Sequence, residues 1–253
     1  MKTLPQPRHV APAHTLRWLT EGWRGFVANP GIWLIQAVVF IVILAALGFV
    51  PLIGWAAAPI ALPVLAGGLV TGALAQARGE ALRVDHLFEG VRRHTGNLLL
   101  VGVFHLVGAF GAALIGAAIG GSAVLTGMLL GAFAGAGVAA GGVMLGVLIF
   151  TVLWALLIMA LWFAAPLVLH DEVAPLDAMK LSAQACLASP LTFLVLAALL
   201  YVLVWIAMLP AGLGMLVLVP VLAGTLRAAW QDVFGNAPAL PAPTPETPPN
   251  DAS

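Results

Sequence analysis

The sequence predicts an all-α polytopic membrane helical bundle, and three observations carry that reading. First, 62% of the 253 residues are hydrophobic and 8% are charged, with a mean hydropathy of +1.08. A soluble domain has about a quarter of its residues charged, so these charges cannot cover a soluble surface. Second, no Asp, Glu, Lys or Arg occurs in 25–77, 97–169 or 190–226. Each block exceeds the stretch of about 20 apolar residues that crosses a bilayer as a helix. Third, no block alternates apolar and polar residues, which excludes a β-barrel and leaves helices, whose backbone groups satisfy one another in lipid.

The elements follow in order. Residues 1–29 form an N-terminal segment with an amphipathic helix. It has no apolar stretch ahead of a small-residue cleavage site, so no cleaved signal peptide is expected. The first uncharged block divides at Pro51-Leu52-Ile53-Gly54, a turn signal, giving spans 30–50 and 55–77. The last divides at Pro210-Ala211-Gly212, giving spans 190–209 and 213–230. The middle block has spans at its ends, 97–120 and 142–167. Between them, the Gly/Ala-rich 121–141 reads as a further span, a re-entrant segment or a surface helix. With six spans all ten Lys and Arg fall on one side of the membrane, and with seven Lys180 and Arg227 change sides. The positive-inside rule therefore favours six transmembrane helices, with seven as the alternative, and both termini cytoplasmic. The bundle occupies 30–232. The Pro-rich tail, 233–253, is expected to be disordered.

The chain also repeats itself. Pro63-Val64-Leu65-Ala66-Gly67 returns as Pro220-Val221-Leu222-Ala223-Gly224, each in the second helix of a hairpin. Asn29-Pro30 before the first hairpin matches Ser189-Pro190 before the last. Each hairpin follows a short amphipathic stretch with apolar residues at helical spacing. Leu16, Leu19, Trp23 and Phe26 oppose Arg17, Glu21 and Arg24. Val84, Leu87, Phe88 and Val91 oppose Asp85, Glu89, Arg92 and Arg93. Leu176, Met179, Ala183 and Leu187 oppose Asp177, Lys180 and Gln184. The reading is three quasi-repeated units of interfacial amphipathic helix plus hairpin, all in one orientation. This differs from the inverted repeats of many secondary transporters.

Several runs resemble a bacterial six-helix inner-membrane protein family that has no established activity. They are Gly22-Trp23 with Phe26, Asn29-Pro30 and Trp33; Pro51 with Gly54 and Pro63; 162–168; Ala178 to Ser182; and Asp232-Val233-Phe234. The chain is more distantly similar to the membrane domain attached to some glycerophosphodiester phosphodiesterases. The resemblance covers most of 15–235 and departs in 121–141. It implies a bacterial inner (plasma) membrane location and a six-helix body. It carries over no catalytic residues, and no phosphodiesterase catalytic domain is present.

His105 is the one ionisable residue deep in an apolar span. A charge at the bilayer centre costs about 2.5–3.5 kcal/mol on insertion scales, so a neutral imidazole is expected. It serves either a proton relay or solute site, or an interhelical hydrogen bond. Gln36 and Asn97 are expected to bond across helices as packing groups rather than ligand contacts. Gly68/Gly72, Gly116/Gly120, Gly127/Gly131/Gly135, Gly137/Gly141 and Gly142/Gly146 are spaced four apart, which lets helix backbones approach closely. His170, Asp171 and Glu172 read as a solvated turn, since adjacent residues on a helix do not face one another. The lone Cys186 gives no intramolecular disulfide and no Cys zinc site.

No P-loop, HExxH, GxSxG or CxxC occurs, and a net charge of zero argues against nucleic acid as a partner. No cofactor, metal or enzymatic activity is expected. The expected partners are membrane lipids, and a protein partner or second copy bound through the glycine-rich helices. The favoured function is a non-enzymatic structural, assembly or lipid-handling role in the membrane. The alternative is a transporter or channel for a small weakly polar solute.

Overall fold

The computed structural model describes residues 4–51 and 54–235, and these hold helices and no strand. Residues 236–253, nearly all of the expected tail, lie outside the described residues. In chain order the helices are α1 (His14–Ala28), α2 (Pro30–Gly48), α3 (Gly54–Ala77), a 3-10 turn (Val84–Phe88) leading into α4 (Glu89–Arg92), α5 (Thr95–Leu130), α6 (Ala132–Trp162), α7 (Ala164–His170), α8 (Pro175–Ala188), α9 (Pro190–Met208) and α10 (Met215–Phe234). Six candidate spans are long and apolar enough to cross a membrane, counted among the described residues. The chain is an all-α, multi-pass membrane protein. Arg8 N–H donates to Val233 O at 3.0 Å, so the N-terminal segment runs beside the end of α10. That end of the molecule is called the terminal face below.

Proline sets the boundaries at two equivalent places. The residue before a proline is pushed out of the helical region, while proline itself suits the first helical position. Asn29 accordingly takes φ −145, ψ 59 between α1 and α2, and Ser189 takes φ −133, ψ 59 between α8 and α9. Helices α2 and α9 each run 19 residues from their proline.

Short amphipathic helices meet the descending helices at close crossings. A Cβ added to Gly22 on α1 would clash with Val221 O on α10, and one added to Gly90 on α4 would clash with Val64 O on α3. Val64 and Val221 hold the same place in the two Pro-Val-Leu-Ala-Gly runs. Against α6 the small residue is Ser182 of α8. Its Oγ donates to Met159 O at 2.5 Å and accepts from Phe163 N–H at 2.9 Å. The hydroxyl thus sits inside the backbone ladder of the helix and separates α6 from α7, since a side chain inserted there breaks the run. Helix α1 buries Trp18, Gly22 and Phe26 and leaves Leu16, Trp23 and Val27 exposed. The second amphipathic stretch is not the regular helix expected, because its 3-10 turn and single α-turn follow the contour of α3.

The middle hairpin differs from the expectation. Segment 121–141 is neither a seventh span, nor re-entrant, nor a surface helix. The expected spans 97–120 and 142–167 continue through it to a single-residue turn at Gly131, so it forms the outer ends of α5 and α6. Each uninterrupted arm has at least 31 residues, about 46 Å or more at 1.5 Å per residue. The last helix also runs on to Phe234, past the expected end at 230.

Gly131 has φ 86, ψ 172, a region that side chains disfavour strongly. Gly131→Ala is expected to destabilise the fold by about 1–3 kcal/mol. Gly137→Ala, where an added Cβ meets nothing within 4 Å, is expected to be neutral or stabilising by about 0.5–1 kcal/mol. Titration of the folded fraction with SDS measures both, and equal stability of the two variants would refute the hinge.

Candidate functional site

The residues singled out from sequence do not converge on one place. His105 lies in α5, 7% exposed, with its ring centroid 5.8 Å from that of Trp154 on α6. Its Nδ1 has no hydrogen-bond partner among the described residues. Gln36 is fully buried on α2, and its Nε2 donates to Arg83 O at 2.8 Å. It pins the segment between α3 and α4 rather than bridging two spans. Asn97 is exposed at the start of α5.

The glycines separate into four groups. Gly116 faces Gly146, and Gly127 faces Gly135, so closely that an added Cβ at Gly146 or Gly127 would stand 2.5 Å from the opposing carbonyl oxygen. Gly120 approaches Val143 in the same seam at ordinary contact distance. Gly68 packs on the Leu87 carbonyl and Gly72 on the Leu82 and His86 side chains, so this pair receives the second amphipathic stretch. Gly131 is the turn, with nothing within 4 Å, and belongs to no seam. Gly137 and Gly141 point into open space.

The polar chemistry gathers at the terminal face. His170 Nε2 stands 3.3 Å from Thr71 Oγ1, and its ring lies 5.3 Å from that of Trp230. Trp230 Nε1 donates to Asp171 Oδ2 at 3.0 Å. The expected solvated turn is therefore a half-buried junction of α3, α7 and α10. Burial pushes the Asp171 carboxyl above its ordinary value, and the indole hydrogen bond only partly opposes this.

A second node was invisible in the sequence. Asp232 Oδ2 accepts from His14 Nδ1 at 2.6 Å, from Arg17 at 2.6 Å and from Trp18 Nε1 at 2.9 Å. One turn away, Arg227 donates to Glu21 at 2.8 Å. These partners stand more than 200 residues apart in the chain. Only the pairing of α1 with α10 brings them together, and no local spacing signals that pairing.

Beside this node lies a recess of about 270 Å³ between α1, α3 and α10. Arg24, Arg227 and Glu21 stand at its wall, with Trp33, Ala73 and Pro220 among its apolar lining. Gly22, Gly25 and Gly224 also line it; Gly22 and Gly224 bring α1 and α10 together, and Gly25 leaves space that a side chain would fill. Trp33 Nε1 donates to Gln76 Oε1 at 3.0 Å, and Gln76 Nε2 donates to Gly25 O at 2.9 Å. Among the described residues no group of three His, Cys, Asp or Glu could hold a metal ion. No family model, curated protein or solved structure matches the chain.

Asp232→Ala is expected to cost about 1–3 kcal/mol, because the buried Trp18 indole and two further donors lose their acceptor. Thermal unfolding in detergent checks this against Asp177→Ala, whose side chain is 48% exposed on α8 and whose loss is expected to be nearly neutral. Asp85 offers a pH test. Desolvation would raise its carboxyl, but Arg83 at 2.6 Å and Arg92 outweigh it and hold the carboxyl below its ordinary value. Its contribution is thus present above the unfolded value of 3.8 and is lost as pH falls through the lower folded one. The protection of amides in 84–92 relative to their intrinsic exchange at each pH is expected to stay constant from neutral pH to about 4 and to fall below it.

Proposed function

We propose that this protein is a non-enzymatic membrane assembly protein of a bacterial inner membrane, with both termini cytoplasmic, that acts through the α5–α6 hairpin. The supporting observation is the length of that hairpin against its surroundings. Gly102 of α5 lies against Ile60 of α3. Beyond that contact α3 continues six residues to Gly54 and α5 continues 28 to Leu130, about 9 Å against about 42 Å. The hairpin therefore reaches about 30 Å past the first hairpin, as far as a whole hydrocarbon core. No charged residue occurs in 97–169, and Leu125, Met128, Leu129 and Met144 are exposed on the outer half.

Such a surface does not stand in water. Tilting does not resolve it either: a 36-residue α5 is about 54 Å long, and fitting it within about 30 Å of hydrocarbon needs about 56° of tilt, beyond the usual 0–40°. Protein is the remaining cover, and a second copy supplies it most simply. Two such hairpins are self-complementary about a twofold axis, without charges to oppose the pairing, and Gly137 and Gly141 leave room on α6 for a close approach. The topology agrees with the proposed orientation, since every described Lys and Arg lies in a segment on the terminal face. We read the three amphipathic-helix-plus-hairpin units as a parallel repeat that holds up this hairpin.

Cysteine crosslinking in native membranes tests the proposal. Cys186 is buried and its thiol is pushed up to about 12, so the wild-type background is silent. Gly137→Cys and Gly141→Cys are expected to form a disulfide-linked species of twice the 26.0 kDa chain on mild oxidation. A monomer at both positions and at Leu129→Cys would overturn assembly through this hairpin.

A further inference from the structure

We propose that the recess between α1, α3 and α10 is a binding site for the phosphodiester of an anionic glycerophospholipid headgroup. The site is independent of the assembly reading, since it lies at the opposite end of the molecule from Gly131.

Four observations carry it. The first is the recess itself, about 270 Å³, which stays open at Gly25, where an added Cβ would meet only Gln76 Oε1 at 3.6 Å. The second is charge. Arg24 and Arg227 face one carboxylate, Glu21, so the wall carries one net positive charge. Arg227, with its side chain 13% exposed, is already paired with Glu21 at 2.8 Å. Arg24 makes no hydrogen bond or ion pair within the described residues. It is the guanidinium free to take an anion, and guanidinium geometry matches two phosphate oxygens at once.

The third observation is that the interior polar atoms are already engaged. Trp33 Nε1, Gln76 and the Gly25 carbonyl bond to one another, so the deep wall offers apolar surface rather than a competing polar ligand. That combination suits a group with a charged phosphate outside and glycerol carbons inside. The fourth is depth. The lining comes from the first turn of α2 (Trp33), the last turns of α3 (Ala73, Gln76) and the Arg-bearing end of α1. This is the level at which the spans leave the apolar layer. Beside it Trp23 is 52% exposed, and such side chains settle at headgroup depth. Basic pockets between helices at that depth recognise anionic headgroups.

Native mass spectrometry of the full-length protein in mild detergent tests this with phosphatidylglycerol, phosphatidylcholine and free glycerol 3-phosphate as probes. The wild type is expected to retain one phosphatidylglycerol in preference to phosphatidylcholine. Arg24→Gln is expected to weaken retention about tenfold, the loss of one charge-assisted hydrogen bond. Gly25→Leu is the second variant. An added Cβ there meets only Gln76 Oε1, at 3.6 Å, so the backbone accepts the residue while its side chain fills the recess. It is expected to weaken retention at least as much. Lys180→Gln, an exposed charge on α8, is expected to retain lipid as the wild type does, and unchanged melting temperatures show that all variants fold. Wild-type retention by both Arg24→Gln and Gly25→Leu would overturn the site. Displacement of phosphatidylglycerol by equimolar glycerol 3-phosphate would overturn the lipid assignment in favour of a soluble phosphate ester.

Discussion

The contact on which the architecture depends is the approach of a short helix to the carbonyl groups of a descending helix. Gly22 meets Val221 O, Gly90 meets Val64 O, and Ser182 reaches Met159 O. Any side chain at the two glycines, or one larger than serine at 182, would push the amphipathic helix away from the bundle. The consequences reach well beyond the crossings. Without the first, α1 would not bring His14, Arg17 and Trp18 to Asp232, and the recess beside Arg24 would not close. Without the second, the turn at 84–88 would lose the support of Gln36 and Gly68. In a membrane this matters more than in water, because apolar burial gives little drive for helix association and close packing must supply it.

The third crossing shows how the same constraint takes a different chemical form. Glycine at the first two positions leaves the carbonyl within its own helix ladder. Serine at the third inserts its hydroxyl between Met159 O and Phe163 N–H. Both backbone groups therefore remain satisfied at the break, as the apolar layer requires. The break also redirects the chain. It brings α7, and with it His170 and Asp171, to Thr71 and Trp230. A turn that would otherwise face solvent becomes a junction between three helices.

The fold was largely legible in the sequence because charge is so costly in lipid that its absence marks the spans. The uncharged blocks gave six spans, Asn29-Pro30 and Ser189-Pro190 gave the two sharpest boundaries, and spacing four apart found the Gly116–Gly146 and Gly127–Gly135 seam. The function of Gly131 was hidden, since its spacing from Gly127 and Gly135 is identical to that of a packing glycine. Only its φ of 86 separates a hinge from a seam. Segment 121–141 was also ambiguous, because weak hydrophobicity suggests a surface segment whereas glycine seams permit long helices of the same composition. The polar layer was the least legible part. Asp232 with His14, and Glu21 with Arg227, are long-range pairs, and periodicity reports only which face a residue occupies, not which helix it meets.

The two ends of the molecule impose opposite physical demands, and this bears on how they can work together. At the terminal face, charges and indoles are engaged in specific bonds, so geometry there is fixed by directional contacts. The outer half of the α5–α6 hairpin is joined along its glycine seam and exposes apolar side chains such as Leu125, Met128, Leu129 and Met144. Dispersion and close backbone approach hold two helices together without specifying what lies outside them. A surface of that kind acquires definition only from what packs on it. The base can therefore be complete in a single chain, while in the proposed assembly the hairpin reaches a defined environment when another apolar surface of comparable length covers it.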